Sequence, residues 1–106
     1  MDNKSRQRLL KRLEKHHMTD FQTAVLKATA DIPRGEVRTY KQIAVAIGHP
    51  NAYRAVGSAL KRNPLAPDIP CHRVIRSDGR IGRYSGKGGM KGKAALLKWE
   101  GFRNFA

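Results

Sequence analysis

The chain has 106 residues, with 22 Lys and Arg against 8 Asp and Glu, a formal net charge of +14 and a pI near 10.8. That length suits one compact domain and excludes a second one of ordinary size; no apolar run approaches the roughly 20 residues of a membrane span, and the opening residues lead into too few apolar positions for a signal peptide. A soluble, cytoplasmic, monomeric protein with no membrane partner is expected, and the positive excess favours nucleic acid, since bound cations release its condensed counterions.

The first 18 residues set Lys4, Arg6, Arg8, Lys11, Arg12 and Lys15 around Leu9, Leu10 and Leu13. This segment reads as a short basic helix or a frayed arm. It is either a DNA-gripping extension or, as preferred here, a solvated tail. Residues 19–106 form the domain proper. Thr19-Asp20-Phe21-Gln22 has the form of a capping box, and Phe21, Val25 and Ala28 make one apolar helical stripe. Ile32-Pro33-Arg34-Gly35 ends that helix in a turn.

Thr39 caps a second helix with Ile43, Ala44 and Ile47 on its buried face, closed by Gly48. Asn51 is the expected cap of a third, Ala52 to Arg62, which is rich in small residues and stopped by Asn63-Pro64. Two short helices across a tight turn, the second small-faced and basic, read as a helix-turn-helix. A helix of Ala, Gly and Ser can approach a groove closely, although small residues also suit ordinary helix packing. Ile69 to Ile75 is a short apolar stretch, expected to be extended, and Ser77-Asp78-Gly79 is a turn. Gly82 to Gly92 is a Gly/Lys-rich loop around Tyr84. A last helix, about Lys91 to Glu100, buries Leu96 and Leu97 and ends at Gly101.

The single cysteine, Cys71, excludes an intramolecular disulfide and a multi-cysteine zinc site. A thiol of ordinary pKa is only a few per cent thiolate at neutral pH, so a reactive cysteine needs a base or a positive charge nearby. His72 follows it directly and can serve through one water, because successive side chains on extended backbone point apart. Asn63 and Glu100 are the polar candidates to orient the imidazole. Taken alone, a Cys-His pair is more often a buried structural cysteine with a neighbour.

Ile69-Pro70-Cys71-His72-Arg73-Val74 resembles the active-site signature of the methylated-DNA–protein-cysteine methyltransferases, the O6-alkylguanine-DNA alkyltransferases. The resemblance continues in order through Thr39-Tyr40, Ile43-Ala44, Arg54-Ala55-Val56-Gly57, Asn63-Pro64, Gly82, Tyr84-Ser85-Gly86 and Leu96-Leu97…Glu100-Gly101, covering Phe21 to Gly101. It implies an α+β fold, mostly helical, built on a winged helix-turn-helix with at most short strands.

It further implies irreversible, single-turnover transfer of an alkyl group from O6-alkylguanine in double-stranded DNA to Cys71, without metal or cofactor. His72 would activate Cys71 through water and Glu100 would hold His72. Asn63 would tie the helix-turn-helix to the active-site loop. Arg54 would fill the gap left by the flipped guanine, and Tyr40 would press on the phosphate behind it and help protonate the departing base. Gln22, Lys41 and Ser77 occupy positions where the family touches the DNA backbone, and Val74, Tyr84 and Ser85 would line the base pocket.

Two other readings stand beside this one. Most members of the family carry a further domain ahead of the catalytic one, where about twenty residues stand here. In size the chain is therefore similar to the alkyltransferase-like proteins, non-catalytic sensors of alkylated DNA that usually have Trp in place of the cysteine. A plain winged-helix transcription factor with an incidental buried cysteine is the third reading, which the polar residues around Cys71 oppose. If DNA is the target, association with the nucleoid is expected.

Overall fold

The computed structural model of the chain describes residues 2–66, 68–78 and 89–102. Its first helix, α1 (Asn3–Glu14), starts where the Asp2 side chain accepts the Ser5 N–H at 2.7 Å. It is not a solvated tail. Leu9 and Leu13 lie four residues apart and so share one face; they are 7% and 3% exposed and belong to the core cluster. Arg6 pairs with Asp31 and Arg12 with Asp68 at the margins of that contact. A narrow leucine stripe is enough once a neighbouring helix offers an apolar surface.

Helix α2 (Asp20–Ala30) begins with the complete capping box, the Thr19 hydroxyl accepting from the Gln22 N–H and the Gln22 amide oxygen accepting from the Thr19 N–H. Its buried residues are Val25, Leu26, Thr29 and Ala30, while Phe21 and Ala28 are only partly buried. The buried face is rotated from the expected stripe because α2 meets α1, α3, α4 and the Cys71 segment at once.

Strand β1 (Arg38–Thr39) runs directly into α3 (Tyr40–Ala46), where Thr39 and Gln42 form a second capping box. Gly48, at φ +81°, closes α3 with the paired bonds of a Schellman motif, His49 N–H to Ala44 and Gly48 N–H to Val45. Helix α4 (Tyr53–Lys61) then begins without a side-chain cap. Asn51 does not cap it. The Ala52 N–H is spent on the His49 carbonyl and the Ala52 carbonyl receives the Val56 N–H, so Ala52 takes the cap position and the helix starts at Tyr53.

Cys71–Arg73 form a 3₁₀ turn rather than the extended stretch expected, and only Val74–Ile75 (β2) are strand. The two strands pair in parallel, Arg38 opposite Val74 and Thr39 opposite Ile75. Helix α5 (Gly89–Trp99) closes the described chain, with a second Schellman pair at its end: Phe102 N–H to Leu97 and Gly101 N–H to Lys98, Gly101 lying at φ +93°. The fold is α+β and mostly helical, and α3 and α4 pack together as its helix-turn-helix on a core that includes Leu26, Ile43, Val56, Leu60, Ile69 and Val74.

Candidate active site around Cys71

The strand register brings the site together. Because Thr39 lies opposite Ile75, the first residue of α3, Tyr40, stands beside the strand that leaves Cys71–Arg73. Cys71 and His72 are 4% and 2% exposed. The approach to Cys71 is fixed by Asn63, itself buried, whose Nδ2 donates to the Ile69 carbonyl at 2.9 Å while its Oδ1 accepts from the Leu65 N–H at 3.0 Å. One side chain thereby ties the end of α4 to the segment entering the cysteine.

His72 Nε2 lies 3.0 Å from Glu100 Oε1. A carboxylate can only accept, so the hydrogen belongs on Nε2, and Nδ1 is the lone-pair nitrogen that a thiol would use. Burial lowers the imidazole pKa, and the Glu100 hydrogen bond pulls it back up. At Glu100, burial alone would raise the carboxyl pKa. Hydrogen bonds from Arg73 and His72 outweigh it, so the group sits below its ordinary value and is ionised at neutral pH.

Two charged residues of the site were not picked out from the sequence. Arg73 grips Glu100 with a fork, Nε to Oε1 at 2.9 Å and Nη2 to Oε2 at 2.6 Å, and its Nη1 donates to the Ile32 carbonyl at 2.8 Å. Lys93 is fully buried; its ammonium donates to the Val74 carbonyl at 2.6 Å and lies 3.5 Å from the Tyr40 hydroxyl. Burial pushes its pKa down to about 8, and a thiolate at Cys71 pulls the other way. The signal for Lys93 was its place four residues before Leu97, on the same helical face. A lysine next to a Gly/Lys-rich loop nonetheless reads as solvent-facing, even within the helix expected over Lys91 to Glu100. Arg73 stood inside the cysteine motif, and nothing local tells a guanidinium that folds inward from one that faces solvent.

Of the other expected residues, the described ones lie at the surface, in a helix cap or beneath the cluster. Arg54 is exposed in the first turn of α4, Lys41 is exposed on α3, and Ser77 is exposed in the turn after β2. Gln22 uses its amide oxygen in the capping box, so a phosphate contact would fall to its NH₂ group. Val74 is fully buried beneath the site. Tyr84 and Ser85 lie outside the described residues, as does Gly82. Among the described residues no group of three or more His, Cys, Asp or Glu could hold a metal ion.

A family model described as 6-O-methylguanine DNA methyltransferase, DNA binding domain, matches residues 20–102. The chain belongs to this family. A methylated-DNA–protein-cysteine methyltransferase of Methanosarcina barkeri is 60% identical to this family member over 82 residues, covering 77% of the present chain and 51% of the relative. The chain spans about half the length of the curated relatives it matches. Among solved structures, Mycobacterium tuberculosis OGT in complex with DNA is 50% identical, with a TM-score of 0.75 over 79% of this chain and 51% of that one. Schizosaccharomyces pombe Atl1, solved with damaged DNA containing O6-carboxymethylguanine, is 38% identical with a TM-score of 0.70. That match covers 80% of this methyltransferase-family chain and 79% of Atl1.

Proposed function

We propose that the protein repairs DNA by moving an alkyl group from the O6 oxygen of guanine to Cys71, once per chain. The observation that carries this reading is the buried pair at Cys71 and His72 with Glu100 held 3.0 Å from the imidazole. A structural cysteine has no need of an ionised carboxylate behind its neighbouring histidine.

In the proposed step His72 Nδ1 takes the thiol proton through a water, and the sulfur attacks the alkyl carbon. The S–C bond forms as the C–O6 bond breaks, and the electron pair leaves with guanine. Tyr40 protonates the departing base and is re-protonated from solvent, to which His72 releases the thiol proton, so that charge and protons balance. The product is a thioether with no hydrolysable bond, which is why the protein acts as a reagent and turns over once. The target carbon is hidden in the base stack and must be extruded at a cost of a few kcal/mol. Arg54, exposed on α4, would fill the vacancy, with Gln22, Lys41 and Ser77 taking phosphates and Val74, Tyr84 and Ser85 the flipped base. Binding through the minor groove suits the small-residue face of α4. A protein with this target would associate with the nucleoid. No helix among the described residues is long and apolar enough to cross a membrane.

The likeness to Atl1 over most of its length favours one second reading, a sensor that binds alkylated DNA without repairing it. Intact mass after incubation with O6-methylguanine DNA separates the two. One methylene gained per chain, lost in Cys71→Ala with binding retained, supports repair; unchanged mass with tight binding supports the sensor.

A further inference from the structure

Three contacts tie the turn that follows α2 to the end of α5 and to Arg73, which grips it. The Arg34 guanidinium lies over the Trp99 ring, 4.1 Å from its centroid. Gly35, at φ +85°, comes so close that a Cβ there would stand 3.2 Å from the Glu100 carbonyl oxygen. The third contact is the bond from Arg73 to the Ile32 carbonyl. Glu100 therefore sits between a turn that braces its backbone and a guanidinium that occupies both of its carboxylate oxygens.

We infer that Arg73 is a positioning residue for the proton relay, anchored on the Ile32 carbonyl and holding the Glu100 carboxylate with one oxygen aimed at His72 Nε2. A glutamate side chain has three rotatable bonds, and one shared hydrogen bond to an imidazole does not fix them. A two-point planar fork does, which is the geometric advantage of arginine over lysine. The inference rests on the reading that His72 activates Cys71.

Arg73 acts on His72 in two opposed ways. Its charge disfavours the imidazolium, as does that of Lys93 from α5, while its grip keeps Glu100 in place to favour it. The Glu100 hydrogen bond is the larger influence on His72, so the grip decides the sign. Arg34, the remaining cation on the bracing turn, is engaged with Trp99.

The test uses iodoacetamide on the full chain without DNA. Cys71 is the only cysteine, and only its thiolate displaces iodide. In Arg73→Gln the acid limb of the pH–rate profile should move up by about one pH unit, roughly a tenfold loss of rate on that limb, and the curves should converge at alkaline pH. Arg73→Lys, which keeps the charge but not the fork, should fall between them. An unshifted limb, or equal slowing at every pH, overturns the inference, since a merely structural role does not depend on pH. Circular dichroism establishes folding; should Arg73→Gln not fold, an unshifted limb in Arg73→Lys overturns the inference and a shifted one supports it. Because iodoacetamide requires no alkylated base, a shifted limb in a protein that takes nothing from DNA would sink the repair reading while leaving this one standing.

Discussion

Arg6 and Asp31 meet at 2.7 Å on the outside of α1, and Arg73 and Glu100 meet at 2.6 Å beside α5. The distances match and the surroundings do not. The side chains of the first pair are 33% and 56% exposed, and those of the second 14% and 6%. Water screens the outer contact, so it orients α1 without holding it. The inner one cannot be broken cheaply, because either partner left alone is a charge in a poorly hydrated site. In this molecule ion pairs on the surface accompany packing, whereas those near Cys71 determine which groups are charged.

Four measurements test that contrast. Glu100→Ala should lose the most stability, on the order of 3–5 kcal/mol in denaturant melts at neutral pH, because it strands Arg73. The Glu100 pKa is depressed in the fold, so its contribution is complete above the ordinary carboxylate value of 4.5 and fades as pH falls through the lower folded value. The deficit of the variant should shrink over the same window. A loss near that of a surface pair would erase the distinction.

Leu13→Ala follows, at about 3 kcal/mol, and shows that α1 is held by its leucines. If this variant costs no more than removing the α1 ion pairs, the contrast fails on the outer side. Lys93→Met should change stability by about 3 kcal/mol in the opposite direction, making the protein more stable below pH 8. A lysine depressed from 10.5 to about 8 costs folding free energy at low pH. The advantage of Met should close between pH 8 and 10.5, and a Met variant that is weaker at neutral pH would mean the buried ammonium is held better than its burial suggests. The smallest effect belongs to Arg12→Ala, below about 1 kcal/mol and erased by added salt.

The same contrast separates what the sequence made legible from what it hid. Helix starts at Thr19 and Thr39 and stops at Gly48 and Gly101 could be read because each cap is closed by atoms within a few residues. The helix-turn-helix followed from them. Asn51 misled because the turn from His49 carries the chain one residue further, so that Ala52 and not Asn51 stands at the N-cap position. Tyr40 beside β2, the fork of Arg73 on Glu100 and the burial of Lys93 all depend on chain segments 19 or more residues apart. No local pattern encodes such pairings. His72 and Glu100 were named together through family resemblance, since spacing alone left Asn63 equally eligible as the partner of the imidazole.

Glu100 directly follows the last turn of α5, where the aligned peptide dipoles leave partial negative charge. A carboxylate is disfavoured at such a helix end and a cation is favoured, by about 0.3–1 kcal/mol and up to roughly 2 when partly buried. The imidazole of His72, 3.0 Å from that carboxylate, would meet this field at the moment it accepts a proton. The peptide groups of α5 thus add to the carboxylate in favouring a positive ring, and they do so without a side chain that could be mutated away. Fraying the helix by replacing Gly101 with a β-branched residue would weaken that field and loosen Glu100 together, so a substitution at a position carrying no functional group should slow proton uptake by His72.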